Sequence, residues 1–477
     1  MSIQTSSERV RARCPRAGVE PLEPRCLPST ASSFTLDPAH INPITSKTDT
    51  HGNVIVLGTF NGIVDFDPRP RSAYFVHGDP DTTSPNYFVA KFAPSGKPLW
   101  VVRHGHEFAN VPSDLTLEAL ATDHADNVYV SGVLGGGANF DADPNRKRVF
   151  SVSPPTNLNA AFLWKLTPDG QLGYAVVQAA PPVRGFSLNG VEFADELAVD
   201  PNGDAYLISF YEVNVSGAIK GVLLRFDSAG RVRWGVALTE LPSGLALDKD
   251  GAPAVADDPQ DKPIHLVRFS AKGRFISDLT LVDVKDNGFP VGLDPAPYAL
   301  ASLAFDPDNN ALICGTLKEP TDFDPGPGTL ILSSRNPDRY TTYLAKYTPA
   351  GRPVFATAIG GGDGDLMAAG AAIDRDGIIH FAGECDGQVD LDPGSEHAFN
   401  VDTGSAAKRN LILARYGQQG QFLSADTLGL LGHVGYHPLG FAFVQEPPSP
   451  IASLLAVPQS DPGTYPQPLT AFFELLS

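Results

Sequence analysis

Two short turn signatures alternate along the chain, and this alternation limits the possible folds more than any other feature. The first is Asp-x-x-Gly-Asn, or a relative of it, between two apolar runs. It begins at Asp49, Asp123, Asp200, Asp248, Asp306 and Asp374. A leading Asp accepts from a backbone N–H two residues on, and Gly or Asn takes the left-handed position of a three-residue hairpin loop. The second signature is a basic residue, then an aromatic residue or Leu, then a turn ending in Gly. Its basic residues are Lys91, Lys165, Arg225, Arg268, Lys346 and Arg415, and its glycines Gly96, Gly170, Gly230, Gly273, Gly351 and Gly420. Each pair of signatures specifies two hairpins, hence four antiparallel strands every ~45–75 residues.

Repeated four-stranded units predict an all-β fold, a β-propeller. Runs such as Asn127-Val128-Tyr129-Val130 have the β-branched and aromatic content of strands. Small side chains recur where innermost strands crowd a central channel: Ala121, Ala198, Ala246, Ala304 and Ala372 each precede a turn Asp by two positions. Six copies are clear, predicting blades near 41–105, 117–178, 194–238, 244–282, 299–359 and 369–428. A seventh, degenerate copy is expected at 434–477, from Gly440-Phe441-Ala442-Phe443-Val444 and Ala471-Phe472-Phe473-Glu474-Leu475. It ends one strand short, and the apolar run at 33–37 has no partner. The two are expected to pair and close a seven-bladed ring, covering an edge that would invite aggregation.

The motifs Asn127-Val128-Tyr129-Val130-Ser131-Gly132 and Asp322-Phe323-Asp324-Pro325-Gly326 resemble the bacterial seven-bladed propeller repeat family called SBBP. The resemblance covers nearly all of 33–477, though the third and fourth repeats lack the Asp-Phe-Asp-Pro element. It implies a fold and a secreted or surface setting, with no activity attached. Residues 1–32 differ from the rest. They show no strand alternation, no helical stripe and no secretory apolar run, and are expected to be disordered and dispensable for folding. Within them, Leu22-Glu23-Pro24-Arg25 and Leu27 resemble the LEPR-XLL motif of bacterial surface and secreted proteins, with Pro28 in place of the second leucine. That resemblance implies export or sorting, hence an extracellular or cell-surface location.

Charge narrows the partners. Lys plus Arg is 35 against 54 Asp plus Glu, a net charge of −19. Such a balance excludes the basic stripe needed by a nucleic-acid binder and the polybasic patch of a membrane-surface protein. No apolar run reaches the ~18 residues of a spanning helix. With four cysteines and no Cys-x-x-Cys, neither a disulfide scaffold nor a zinc site is supported. Cys314 and Cys385 are expected to be buried thiols.

The recurrent acidic element is the best candidate for chemistry. It pairs Asp65 with Asp67, Asp141 with Asp143, Asp322 with Asp324, and Asp390 with Asp392. Asp-x-Asp in extended chain places both carboxylates on one face, and calcium takes 6–8 such oxygens. The competing reading is a soluble turn former. His104, His106 and Glu107, and likewise His433 and His437, have ligand chemistry without a diagnostic spacing, and are expected to be loop residues without metal. Trp100 and Trp234 stand one residue too far from their glycines for the sialidase Asp-box, which marks them as hairpin core residues. No nucleophile elbow or phosphate loop is present.

Strand order then predicts two unlike faces. Both short hairpins of each blade fall on one face. The long second-to-third connections, with all four acidic elements, fall on the other. Loops on a rigid scaffold carry binding, so an acidic binding face is expected there, for calcium or cationic groups. The chain is expected to be a monomeric, non-enzymatic scaffold that binds a protein or a polysaccharide through this face. The alternative is a propeller lyase or hydrolase acting on an extracellular polymer at the channel mouth. It would need unlike polar residues from three or more blades to converge.

Overall fold

The computed structural model describes residues 40–67, 69, 71–78, 86–104, 114–135, 137–141, 149–151, 159–178, 188–213, 219–239, 242–257, 263–282, 298–317, 319–336, 338–394, 398–402, 409–429, 442–443 and 452–453. They form six sheets of four antiparallel strands, each paired in chain order. Blade 1 consists of Ile41–Thr48, Val54–Phe60, Asn86–Phe92 and Pro98–His104. Blade 2 is Asp114–Thr122, Val128–Gly135, Ala160–Leu166 and Leu172–Gln178. Blade 3 is Leu188–Val199, Ala205–Val213, Ile219–Phe226 and Val232–Ala237. Blade 4 is Pro242–Leu247, Pro253–Asp257, Ile264–Phe269 and Phe275–Val282. Blade 5 is Tyr298–Phe305, Ala311–Leu317, Thr341–Tyr347 and Pro353–Ile359, and blade 6 is Leu366–Ile373, Ile379–Asp386, Arg409–Tyr416 and Phe422–Gly429. The chain is a β-propeller.

The blade count corrects the sequence expectation: among the described residues six blades are formed, not seven. After Gly429 the described chain contains one two-residue pair, Ala442–Phe443 with Ala452–Ser453. The segment carries neither turn signature, and Pro447, Pro448 and Pro450 lie between the paired residues. Proline cannot donate to a ladder, so a four-stranded sheet has little to build on. The expected closing pair, 33–37 with 471–475, and the N-terminal 1–32 fall outside the described residues.

Both signatures form the hairpins their chemistry specifies. In each first hairpin the leading Asp Oδ1 accepts from the N–H groups two and four residues on, at 2.8–3.0 Å in all six blades. The left-handed position is held by Gly52, Gly203, Gly251 and Gly377, and by Asp126 (φ 60°) and Asn309 (φ 63°) in blades 2 and 5. Asp126 and Asn309 use their side chains to accept from the preceding blade's turn, at Thr50 N and Lys249 N, 2.9 Å each.

Successive blades pack face to face through apolar clusters. One joins Ile55, Leu57 and Val89 of blade 1 to Leu120, Val130 and Trp164 of blade 2. Equivalent clusters link each later pair up to Leu312, Cys314 and Leu344 with Phe381 and Ile412. The second hairpins interlock the same interfaces. Gly170, Gly230, Gly273 and Gly420 lie on Trp100, Tyr174, Trp234 and Phe355 of the preceding blade, and an added Cβ would meet those rings at 2.6–2.8 Å. Trp100 and Trp234 also donate their indole N–H to that next hairpin, at Pro168 O and Ala271 O. They are core anchors between blades.

Each innermost strand carries a bulge. The residues passed over are Ile44, Glu118, Ser243, Ala301 and Ala369, each five before its turn Asp, with a matching shift between Phe193 and Glu196 in blade 3. A bulge leaves backbone groups unpaired in the ladder, and the preceding blade supplies their partners. Ala194 N donates to Glu118 Oε2 (2.5 Å), Ala194 O accepts from Ser131 Oγ (2.7 Å), and Ala371 N donates to Ser302 Oγ (2.8 Å).

Candidate functional site

The antiparallel order puts both short hairpins of a blade at one end and the second-to-third connections at the other. In blades 1, 2, 5 and 6 these connections rise into small two-stranded hairpins: Ile63–Asp65 with Phe75–His77, Gly137–Asn139 with Val149–Ser151, Thr321–Asp322 with Ile331–Leu332, and Gln388–Asp390 with Asn400–Asp402. The acidic elements form the stems of these hairpins.

Their carboxylates act first as turn acceptors. Asp65 Oδ1 accepts from Asp67 N (2.9 Å) and from Tyr74 N across the hairpin (2.7 Å). Asp322 Oδ1 does the same with Asp324 N and Leu330 N, and Asp390 Oδ1 with Asp392 N and Phe399 N. The second Asp starts a further turn: Asp324 Oδ1 accepts from Gly326 N and Asp392 Oδ1 from Gly394 N. Between the two acids a buried Phe66, Phe323 or Leu391 plugs the stem into the core. Tyr347 and Tyr416 hold it there, donating to Phe323 O and Leu391 O.

Two of the elements are met by the protein's own cations. Arg69 grips Asp67 through Nε and Nη2 at 2.8 and 2.6 Å, which holds the Asp67 carboxyl below its usual range. Arg335 of the blade 5 loop reaches Asp390 Oδ2 of blade 6 at 3.1 Å.

Blade 2 shifts the predicted pairing by two residues. Asn139, Phe140 and Asp141 occupy the places of Asp65, Phe66 and Asp67, with Asp141 N donating to Asn139 Oδ1 at 3.2 Å. Asp141 is therefore the second member of its element, and Asp143 lies outside the described residues. The amide at Asn139 performs the turn-accepting role without charge, which hid the true start of the element from a search for paired acids.

Beside these stems the loop face exposes apolar side chains. Ile63 and Phe75 are 61% and 63% exposed, and Ile331 is 51% exposed. Phe399 packs on Phe422 with ring centroids 5.0 Å apart. No search for charged motifs would have found these residues.

The short-hairpin face has a different chemistry. Each strand-3 cation turns back to the first hairpin of its own blade: Lys91 to Asp49 at 2.7 Å, Arg225 to Asp204 at 2.5 Å, Arg268 to Asp248 at 3.0 Å, Lys346 to Asp306 at 3.3 Å and Lys165 to Asp123 at 3.6 Å. Blade 6 departs, because His380 Nε2 takes Asp374 at 2.9 Å. Among the described residues Asp49, His51 and Asp126 form a group of three ligand-type side chains. No member of an acidic element belongs to it. Lys91 already occupies Asp49 Oδ2, while Thr50 and His51 occupy both oxygens of Asp126. Burial pushes the Asp126 carboxyl up, but these bonds outweigh it and leave it below its usual value.

The innermost strands also carry unlike charged residues. Where blades 2–6 have alanine two positions before the turn, blade 1 has Lys47. Burial lowers its amine below the usual range, opposed by the charge of Glu196 in blade 3. Glu118 of blade 2 is engaged with Ala194 N and Thr116 Oγ1.

Of the histidines, His104 is buried at a strand end rather than in a loop, with Phe140 and Trp164 ring centroids at 5.5 and 6.1 Å. His106, Glu107, His433 and His437 lie outside the described residues. Cys314 and Cys385 are buried free thiols, and burial pushes Cys385 up to about 12. Among the described residues no helix is long and apolar enough to cross a membrane.

No family model and no curated protein matches the chain. Among solved structures it is similar to the β-propeller domain of the Trilobed protease from Pyrococcus furiosus, at 9% identity and TM-score 0.39, covering 81% of this chain and 93% of that one. It is also similar to virginiamycin B lyase from Staphylococcus aureus (9%, TM-score 0.32, covering 68% and 86%). A third is a sialidase from Trypanosoma rangeli (10%, TM-score 0.36, covering 74% and 52%). The fold assignment rests on the strand pairing, and these likenesses transfer no activity.

Proposed function

We propose that the chain is a non-catalytic binding scaffold, secreted or displayed on a bacterial surface, that engages a protein or polysaccharide through its loop face. The observation that supports this reading is the set of small hairpins rooted in the core and presenting exposed Ile63, Phe75 and Ile331. Exposed aromatic and aliphatic side chains on rigid stems offer apolar area with little ordering cost. The acidic stems beneath them favour partners that also bring cationic or hydroxyl groups.

Calcium on the acidic elements is a subsidiary reading of the same face. It would have to use the carboxylate oxygens not committed to backbone N–H groups, and would compete with Arg69 and Arg335. Melting the protein with calcium and with excess chelator tests it: a transition raised by calcium supports the reading, and an unchanged one removes it.

The enzymatic alternative would centre on Lys47 of blade 1 and Glu196 of blade 3, whose charges interact, with Glu118 of the intervening blade 2. Two carboxylates and an amine are suited to proton transfer, but Glu118 is engaged in capping the blade 3 bulge. Binding therefore stands ahead of catalysis.

The test is a Phe75→Ser/Ile331→Ser variant screened against immobilised polysaccharides and surface proteins, beside the parent. Binding lost at unchanged melting temperature supports the loop face. Binding retained by the double variant but lost in Glu196→Gln moves the site to the channel.

A further inference from the structure

The first-hairpin Asp of each blade commits its Oδ1 to two backbone N–H groups, so its charge is left to be met at Oδ2. In blades 1, 2, 4 and 5 a Lys or Arg of strand 3 meets it at 2.7–3.6 Å, and in blade 6 His380 does so at 2.9 Å. Blade 3 departs. Among the described residues no basic group reaches Oδ2 of Asp200, which is 7% exposed. Its strand-3 cation, Arg225, is drawn instead to Asp204 Oδ2 at 2.5 Å and to Ala271 O at 2.8 Å.

The sequence explains the shift. Four residues after the turn Asp, blades 1, 2 and 5 carry Asn53, Asn127 and Asn310, whose amides donate to that Oδ2 at 2.8, 2.9 and 2.8 Å. Blades 4 and 6 have Ala252 and Ile378 there, and blade 3 alone has an acid, Asp204. A carboxylate cannot donate to Asp200, and it competes for the guanidinium. Two acids therefore share one arginine where the other blades balance one acid with one basic group, and a single negative charge is left over. A charge this far from water needs a partner.

The surroundings supply oxygen. Tyr206 lies opposite Arg225 in the strand register, is 0% exposed, and its hydroxyl has no hydrogen-bond partner. The equivalent Tyr129 of blade 2 donates to Asp123 Oδ2 at 2.9 Å and to Gly203 O of the next blade at 3.2 Å. Burial pushes the Tyr206 hydroxyl up to about 12, with Arg225 opposing and the charges of Asp200, Asp204 and Asp248 adding, so these groups act on one another at the joint. The joint is also roomier than its neighbour. A Cβ added at Gly203 would meet Tyr129 Oη at 2.9 Å and Asp123 Oδ2 at 3.2 Å; at Gly251, the matching glycine of blade 4, only Asp200 lies within 4 Å, no nearer than 3.5 Å. The neighbouring cations are committed, Arg268 to Asp248 and Lys249 to Asp250.

We propose that the joint between blades 3 and 4 binds a monovalent alkali cation on Asp200 Oδ2, with Tyr206 Oη and Gly251 O, the repeat equivalent of Gly203 O, as further oxygen ligands. The ion stands where a lysine, arginine or histidine stands in the other five turns. Hard cations take such oxygens and complete their shell with water. One positive charge balances the site, and a divalent ion would overshoot it.

The experiment melts the full chain at fixed ionic strength in sodium, potassium and N-methylglucamine chloride, with a chelator present to remove divalent ions. The parent should melt several degrees higher in sodium or potassium, since an ion bound only by the folded state raises the transition. Asp204→Asn gives blade 3 the residue of blades 1, 2 and 5 and frees Arg225 for Asp200, so it should fold and abolish the difference between the salts. Tyr206→Phe should keep the difference but raise the cation concentration needed for half of it at least threefold. Hydrogen exchange locates the ion: N-methylglucamine should speed exchange at Ala205–Val213 and Pro253–Asp257 and leave Val54–Phe60 unchanged. Equal melting of the parent in all three salts overturns the proposal and assigns the joint to water. A salt difference that survives in Asp204→Asn, or faster exchange spread evenly over the blades, overturns it as well.

Discussion

The two faces of this propeller use one device with different stakes. On the short-hairpin face an Asp Oδ1 accepts from N–H groups two and four residues on, and in four of the six blades Oδ2 of the same Asp takes a Lys or Arg from strand 3. On the loop face an Asp Oδ1 also accepts twice, but the second N–H is eight or nine residues away, across a small hairpin. The first arrangement closes a tight turn over a buried charge pair. The second closes a wide loop that leaves its outer side chains to solvent. The blade core depends on the first, and variation in the exposed side chains is tolerated by the second.

The largest effect should therefore come from Asp49→Ala. It removes the acceptor of two backbone N–H groups and leaves Lys91 buried without its carboxylate; the expected loss is about 3–5 kcal/mol in chemical denaturation. Gly170→Ala should come next, at about 1–3 kcal/mol, because its Cβ meets Trp100 and its φ is +76°. Asp322→Ala on the loop face should cost about 1–2 kcal/mol. If it matched Asp49→Ala, the two faces would not differ in the way described. Lys47→Ala, which gives blade 1 the alanine of the other blades, should stabilise the fold by about 1 kcal/mol at neutral pH, measured by thermal melting.

The last comparison is with acid. Asp126 and Asp374 have folded values below their ordinary ones, so the stability they contribute is complete above about pH 4 and lost as pH falls through those folded values. Lys47 acts in the same sense in a different window: its lowered folded value makes stability rise with pH between that value and the ordinary 10.5. An acid melt of Asp126→Asn should therefore be shallower than that of the parent. Equal slopes would remove Asp126 from the account. Phe75→Ser should change stability by less than about 0.5 kcal/mol, the smallest effect of the series.

The architecture was legible because turn chemistry is local. Asp at the start of a hairpin and Gly at its left-handed position are determined within five residues, so both signatures could be read without any tertiary information. The illegible part depends on register between strands. Ile55 pairs with Lys91, which brings that lysine to Asp49, 42 positions earlier; no spacing within either signature encodes this. Asn139 escaped notice because an amide and a carboxylate accept the same N–H while differing in charge. Lys47 stood at the alanine position in the sequence, but its significance comes from burial and from Glu196 two blades away. The seventh blade was inferred from apolar runs alone, without turn residues, and among the described residues those runs contribute one two-residue pair.

The glycine seats between blades have a consequence for how the chain is made. Trp100, Tyr174, Trp234 and Phe355 are each covered by a hairpin synthesised some 55 to 70 residues later, or about 40 for Trp234. During translation blades 1, 2, 3 and 5 thus each wait with one aromatic side chain bare until the successor emerges, and that arrival seals the blade before it. Synthesis from the N-terminus moves a single sticky site along the nascent protein rather than accumulating several, which limits the aggregation exposure of a long β-rich chain.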